Sequence, residues 1–286
     1  MSPGHHEETL IDWDEALDNI GHVPGADITL ERWKRLAEDY RRSPEVAGSL
    51  ETDLVYGPRP RNRMDIVRTA SRSRGLVVFI HGGYWIRLGK EFFTHLAAGM
   101  RAAGFDVAIP GYTLAPETRI SGITAEIAGA VEFAARHGDG PVMLAGHSAG
   151  GHLATRMVCD DGLLPASVRD RLARVVAISG LFDLRPLLLT EMNRILKLDD
   201  REAREESPVF HQPASGQPGH EVVFWVGALE RPEFLRQTQL IFEAWKPFRE
   251  VVLVHKRQRD HFSVVEDLAD PNSALVRTIT GVQEWD

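Results

Sequence analysis

Ser148 lies within the sequence Gly-His-Ser-Ala-Gly at residues 146–150, a spacing that could present a serine hydroxyl for nucleophilic attack. An apolar run at residues 141–145 precedes it and a helix-forming stretch at residues 151–158 follows it. A serine on a sharp turn between a strand and a helix has its hydroxyl exposed above the sheet. The two flanking glycines avoid Cβ clashes where strand and helix approach each other. We therefore predict that Ser148 is a nucleophile that attacks a carbonyl group.

A second glycine-containing sequence, His-Gly-Gly-Tyr-Trp at residues 81–85, follows the short apolar run at residues 76–80. Glycines at the end of a buried strand let backbone amides approach a substrate carbonyl. We predict that the N–H groups of Gly83, Tyr84 and Ala149 stabilise the oxyanion. Loss of one such donor typically raises the barrier by about 3–4 kcal/mol. We expect His81 to brace this loop rather than to act as a base.

A serine nucleophile needs a general base, and two histidines follow the last predicted strand. His255 forms the end of the strand at residues 250–254, whereas His261 lies in the loop beyond it and ahead of a helix. The loop position suits a base that must reach across to the serine. We therefore favour His261 over His255.

The acid that orients the histidine is expected after an earlier strand, at residues 222–226. Glu230 lies just beyond that strand, and Pro232 begins the following helix. Asp183, which follows the strand at residues 174–179, is the alternative. We favour Glu230, whose carboxylate would hold the imidazole in place and stabilise the imidazolium ion.

Short apolar strands alternate with helical patterns, which predicts the α/β class with a mostly parallel sheet and helices on both faces. The length of 286 residues suits a single domain. Residues 1–50 read as an N-terminal helical extension, whose apolar stripe around Trp33 predicts packing at the domain edge. A hairpin is expected at residues 52–67. The irregular segment at about residues 180–220 is predicted to form a small cap or lid.

The composition limits the partners of the chain. The net charge of −8 argues against binding to nucleic acid or to anionic membranes. We expect no membrane helix, because no apolar run reaches 18 residues, and no signal peptide. The single cysteine, Cys159, reads as a buried structural thiol. We expect a cytoplasmic protein that acts on a small molecule, and the sequence leaves homodimer formation open.

The motifs together resemble those of the kynurenine formamidases, or arylformamidases, a branch of the serine α/β-hydrolases. The resemblance rests on His-Gly-Gly-Tyr-Trp, on residues 146–153 and on Asp-His-Phe-Ser-Val-Val-Glu at residues 260–266. It extends from about residue 56 to residue 268. The related hormone-sensitive-lipase-type esterases usually have a third glycine where Tyr84 stands. The acid of animal members is usually Asp, and the matching position here is Glu230.

The resemblance implies an α/β-hydrolase fold and the hydrolysis of N-formyl-kynurenine to kynurenine and formate through an acyl-serine intermediate. No metal or organic cofactor is implied. A bulky aryl group would need an apolar slot, for which Tyr84, Trp85 and Phe182 are the candidates. Three basic side chains are candidates for holding a substrate carboxylate: Arg87, Lys90 and Arg185.

Two other hypotheses remain open. The chain could be a carboxylesterase that acts on short-chain acyl or aryl esters, because a serine triad serves esters and amides alike. It could also be an inactive protein of this fold that only binds a ligand. A carboxylesterase would differ from an arylformamidase in its preferred substrate. An inactive protein would differ from both because it would hydrolyse neither kind of substrate.

Overall fold

The computed structural model describes residues 11–214 and 220–282. Eight strands form one sheet in the order β1-β2-β4-β3-β5-β6-β7-β8. Strands β1 and β2 form the predicted antiparallel hairpin, β2 is also antiparallel to β4, and the remaining neighbours are parallel. The strands are β1 Leu50–Val55, β2 Arg63–Val67, β3 Leu76–Ile80, β4 Asp106–Pro110, β5 Val142–His147, β6 Leu172–Ile178, β7 Glu221–Gly227 and β8 Val251–Lys256.

The central strands are apolar because helices cover both faces of the sheet. Every residue of β3 and β5 is buried. One core cluster includes side chains of α5, α6 and α10, and a second includes side chains of α3, α4 and α12. The helices are α1 Trp13–Leu17, α2 Asn19–His22, α3 Ala26–Arg42, α4 Ala97–Ala102, α5 Ile120–Ala135, α6 Ala149–Arg156, α7 Ala166–Arg169, α8 Asn193–Leu196, α9 Asp200–Glu205, α10 Pro232–Trp245, α11 Ser263–Glu266 and α12 Ala274–Thr280.

Two segments flank the regular alternation of strands and helices. The predicted N-terminal helices are present as α1 to α3, and residues 1–10 of that prediction lie outside the described residues. Between β6 and β7 the chain forms α8, α9 and short 3-10 turns where a cap was predicted; residues 215–219 of this segment are not described. Within the described residues, no helix has the length and apolar character needed to cross a membrane.

The parallel strands explain how distant parts of the chain meet. The carboxyl ends of parallel strands lie along one edge of a sheet, where α/β proteins build their ligand sites. The loops after β3, β5, β7 and β8 carry Gly83, Ser148, Glu230 and His261 respectively. The fold therefore places every predicted catalytic group at the same edge.

Candidate active site

Ser148 connects β5 to α6 and has a strained backbone conformation, with φ of 56° and ψ of −120°. A non-glycine residue adopts such a conformation only when its surroundings enforce it. A Cβ atom on Gly146 would lie 2.0 Å from the carbonyl oxygen of Gly150, and one on Gly150 would lie 2.0 Å from that of Ile80. Both glycines are therefore needed for the close approach of strand and helix, as the sequence predicted.

The loop after β3 lies directly against this turn. A Cβ atom on Gly82 would be 2.8 Å from the carbonyl oxygen of His147 and 3.0 Å from the Cβ atom of Ser148. Within the described part of the chain, the amides of Gly83, Tyr84 and Ala149 donate to no protein acceptor. Three backbone donors beside the serine are thus available to an oxygen of a bound ligand.

His81 packs inside this loop rather than facing the serine. Its ring stacks on Tyr112 with centroids 4.2 Å apart and on Phe93 at 5.6 Å. Burial lowers the pKa of His81 to about 3, so the ring is neutral. Its Nδ1 atom donates to the carbonyl oxygen of Gly82 at 2.7 Å. His81 therefore has the bracing position that the sequence predicted.

Glu230 and His261 form a buried hydrogen-bonded pair. The Nδ1–H group of His261 donates to Oε2 of Glu230 at 2.7 Å. The other carboxylate oxygen, Oε1, accepts from the hydroxyl of Ser179 at 2.5 Å and from the amide of Gly227 at 2.8 Å. The side chain of Glu230 is fully buried. Three donors thus satisfy and orient the carboxylate, as a buried charge requires.

The loop that carries His261 is held from two sides. Oδ1 of Asp260 accepts from the amides of Phe262 at 2.9 Å and Ser263 at 2.8 Å. On the other side, Nε2 of His147 donates to the carbonyl oxygen of His261 at 2.8 Å. Burial, with a smaller contribution from His261, holds the pKa of His147 well below its usual value. His147 is therefore a neutral support for the loop.

The rival acid and base have other surroundings. Both carboxylate oxygens of Asp183 bind the guanidinium of Arg185, at 2.9 and 2.8 Å. That hydrogen bonding holds the pKa of Asp183 below its usual value despite its burial. His255 lies within β8 and is exposed. Neither residue lines the pocket at Ser148.

Ser148 and His261 line the same pocket. In the described part of the chain, neither Ser148 Oγ nor His261 Nε2 has a hydrogen-bond partner, and no hydrogen bond joins them. Such contacts are often long without a ligand and tighten when substrate binds. The pocket, here called the inner pocket, has six apolar side chains in its wall: Ile20, Leu30, Trp33, Leu88, Phe93 and Phe262.

Two of the three predicted aryl-binding residues do not reach this pocket. Tyr84 lines it, whereas Trp85 and Phe182 are fully buried in the core and do not. Trp85 has a φ of 60°, and its ring packs edge-on against His152 at 5.1 Å. Phe182 packs against Phe224 at 5.3 Å. The prediction of substrate contact is therefore wrong for both residues, because their side chains turn into the protein.

The pocket wall that the sequence missed comes from the N-terminal helices. Trp33 of α3 and Asn19 of α2 line the inner pocket, a contact that the predicted packing at the domain edge did not include. Trp33 is 1% exposed, and its indole N–H donates to Glu266 at 2.7 Å. Asn19 donates to the hydroxyl of Tyr84 at 3.2 Å, and that hydroxyl donates to the carbonyl of Leu17 at 2.5 Å. The apolar stripe of α3 indicated that one face of the helix is buried, but it did not indicate that this face lines the inner pocket.

Only one of the three basic candidates lies at the pocket. Lys90 is bound by Asp65 at 2.6 Å and by Asp53 at 2.9 Å, and Arg185 is bound by Asp183. Arg87 is exposed and lines the inner pocket. No group of three or more His, Cys, Asp or Glu side chains is arranged to hold a metal ion in residues 11–214 and 220–282.

The fold and the arrangement around Ser148 define a serine hydrolase architecture, and residues 77–282 match the model of the alpha/beta hydrolase family. The chain belongs to that family. The likeness to kynurenine formamidases is confirmed by two relatives. The one from Danio rerio is 29% identical over 235 residues, which cover 79% of this chain and 80% of that protein. The one from Salmo salar is 29% identical over 265 residues, which cover 90% and 86%.

A solved structure from Silicibacter sp. TM1040, provisionally named as a thioesterase, is also similar. It is 43% identical, with a TM-score of 0.88, and the alignment covers 95% of this chain and all of that one. The chain is thus similar over nearly its whole length both to formamidases and to a protein named for thioester hydrolysis.

Proposed function

We propose that the protein is a serine hydrolase that cleaves aryl formamides, with N-formyl-kynurenine as the substrate that its relatives favour. The observation that carries this proposal is that His261, held by the carboxylate of Glu230, lines one pocket with Ser148, Gly83 and Tyr84. Nucleophile, base, acid and oxyanion donors are the four parts that acyl transfer through serine requires.

In the first half of the proposed reaction, Oγ of Ser148 attacks the formyl carbon while Nε2 of His261 takes the hydroxyl proton. The carbonyl oxygen gains negative charge and accepts hydrogen bonds from the amides of Gly83, Tyr84 and Ala149. The imidazolium then gives its proton to the aniline nitrogen as the carbon–nitrogen bond breaks. The free amine leaves, and a formyl ester remains on Ser148.

In the second half, His261 takes a proton from a water molecule that attacks the formyl ester. The same amides stabilise the second oxyanion, and the proton returns to Ser148 as the ester bond breaks. Formate leaves and the free enzyme is restored. Glu230 keeps its charge in both halves, where it favours the imidazolium and fixes the proton of the neutral ring on Nδ1.

The inner pocket suits an aromatic leaving group better than a long acyl chain. A formyl group has only one hydrogen atom beside its carbonyl, so it needs almost no space. The apolar wall, which includes Trp33, Phe93 and Phe262, would contact the aryl ring. A small acyl group with a large aryl leaving group is therefore supported over a substrate with a bulky acyl group.

The second candidate function is hydrolysis of short-chain esters or thioesters, which the similar structure from Silicibacter favours by its name. The same residues would form the same kind of acyl-serine. Esters and thioesters have better leaving groups than amides. Protonation of the leaving group by His261 therefore matters less for them.

A substrate comparison tests these functions. The purified protein is given N-formyl-kynurenine, p-nitrophenyl acetate and an acetyl thioester, and kcat/KM is measured for each. We expect the formamide to be the preferred substrate. Higher kcat/KM on either ester would support the second function, and no turnover of any of the three would support a binding protein.

We also propose that the substrate is a free small molecule and that the protein is cytoplasmic. The inner pocket beside Ser148 supports the first proposal, and cell fractionation tests the second. Homodimer formation stays a prediction, which sedimentation of the purified protein tests.

A further inference from the structure

The surface outside the inner pocket has a charged groove that the proposed reaction does not use. Tyr84 and Arg87 line both cavities, so the groove adjoins the inner pocket at these two side chains. We call this second cavity the outer groove. Its polar wall contains four carboxylates and one arginine: Asp14, Glu15, Asp18, Glu191 and Arg87.

Arg87 differs from Lys90 and Arg185 because it has no carboxylate partner among the described residues. Within the described residues its guanidinium has only one neighbour of note, the ring of Tyr84, whose centroid is 5.9 Å away. Arginine presents planar donors that match a carboxylate. An unpaired arginine at the entrance of a pocket is therefore available to an anionic ligand.

The backbone places Arg87 in a fixed relation to the proposed oxyanion donors. The amides of Ile86 and Arg87 both donate to the carbonyl oxygen of Gly83, at 3.0 and 3.1 Å. Gly83 has a φ of 119°, and a Cβ atom on it would lie 2.1 Å from the carbonyl oxygen of Arg87. The same tight turn thus fixes the backbone of Arg87 relative to the amide of Gly83.

The carboxylates of the outer groove are already engaged. Asp14 accepts from the amide of Glu191 at 2.8 Å, and Asp18 accepts from that of Gly21 at 2.9 Å. Glu15 pairs with Arg231 at 3.4 Å, and Glu191 pairs with Arg194 at 2.8 Å. Asp14 and Asp18 have no cationic partner among the described residues. Their negative charge disfavours a simple anion in the groove and favours a ligand that also carries a cation.

We propose that Arg87 binds the carboxylate of an α-amino-acid head on the substrate while the acidic side of the outer groove faces its ammonium group. The reacting acyl group then lies beside Ser148 in the inner pocket. This proposal rests on the proposed hydrolase function and names the part of the substrate that lies outside the reacting bond. Arg87 is a specificity-determining residue and takes no part in bond cleavage.

The test compares two formamides that differ in the head group. N-formyl-kynurenine carries the α-amino-acid head, and formanilide lacks it. Arg87→Gln removes the charge and keeps much of the side-chain length. We expect the ratio of kcat/KM on N-formyl-kynurenine to that on formanilide to fall about tenfold, mainly through KM, because one charge-assisted contact is lost. Arg87→Lys should restore part of the ratio.

Arg35→Gln is the matched control, since Arg35 is exposed on α3 and lines neither cavity. It makes the same charge change and should leave the ratio as in the wild type. Equal loss on both formamides, or no change in the ratio for Arg87→Gln, would overturn the role of Arg87. Failure of the wild type to hydrolyse either formamide would instead overturn the proposed function.

Discussion

The hydroxyl of Ser148 is the group on which the proposed chemistry depends, and its removal should cost activity without unfolding the protein. The backbone N–H of Ser148 donates a hydrogen bond to the carbonyl oxygen of Ile178 at 2.8 Å, and alanine retains this bond. We predict that Ser148→Ala lowers kcat on p-nitrophenyl acetate by at least about a thousandfold and leaves the Tm close to that of the wild type. A variant that keeps more than a few per cent of the activity would exclude this nucleophile.

The pair of Glu230 and His261 gives a prediction about charge. Glu230→Gln keeps the volume of the side chain but removes the negative charge that favours the imidazolium. Comparable charge removal in a serine protease lowers turnover by about 10⁴-fold. We predict a loss of kcat between about 10² and 10⁴-fold here, measured with saturating substrate.

Asp183→Asn is the contrasting variant, because Asp183 is bound by Arg185 and lies outside the pocket. We expect its kcat to stay within about threefold of the wild type, as its carboxylate touches none of the reacting groups. If Asp183→Asn proved crippling and Glu230→Gln mild, the acid would belong after β6 rather than after β7.

The positions of single side chains show where reasoning from sequence stops. Glycine and serine spacing predicted the turn at Ser148, because only small residues fit where β5 meets α6. Whether the side chain of Trp85 faces the pocket or the core could not be predicted in the same way. Tyr84 and Trp85 have φ values of 51° and 60°, so no strand or helix periodicity describes which side chain faces the pocket.

At the scale of elements, the buried strands were predictable. A short, continuous apolar run such as that of β3 is typical of a parallel strand that is covered on both faces. The hairpin of β1 and β2 followed from alternation and an intervening turn. The packing of α3 across the site was not predictable. Its apolar stripe requires a buried face, but the partner is set by residues more than 200 positions away, including Glu266.

The contact between α3 and α11 gives a prediction about an element. Trp33 donates to Glu266 of α11, and its ring packs on Phe262 at 5.9 Å, next to His261. Trp33→Phe removes the N–H group and part of the ring. We expect the free energy of unfolding to fall by about 1–2 kcal/mol, measured by urea denaturation. Because the loop of His261 loses one support, kcat/KM should also fall several-fold.

Leu36→Ala on the same helix serves as the control, since Leu36 is 41% exposed and does not line the inner pocket. It should leave kcat/KM unchanged. A Trp33→Phe variant with lowered stability and wild-type kcat/KM would show that α3 supports the fold but not the position of His261.

For the whole molecule, buried neutral histidines predict a loss of stability in acid. Burial lowers the pKa to about 3 for His81 and His152 and to about 4 for His95. An unfolded histidine has a pKa near 6.5, so between about pH 6.5 and 4 the unfolded chain binds protons that the folded chain does not. The free energy of unfolding therefore falls as the pH falls through this window, by about 1 kcal/mol per pH unit for each such histidine.

His81→Phe tests this linkage. The variant should show a shallower dependence of the free energy of unfolding on pH, with about one proton fewer taken up on unfolding. The slope is the measurement, because the substitution also changes stability at neutral pH. A slope equal to that of the wild type would show that His81 is already protonated in the folded protein.

The hydrogen bond between Trp33 and Glu266 joins positions 233 residues apart, which has a consequence for the order of synthesis. A ribosome makes α3 first, then the turn at Ser148 and later the loop of His261. A nascent chain can therefore contain the serine and its neighbouring amides while it lacks both the base and the anchor for α3. The inner pocket can therefore form only after the loop of His261 has been made, since its wall combines side chains of α3 with those of that loop.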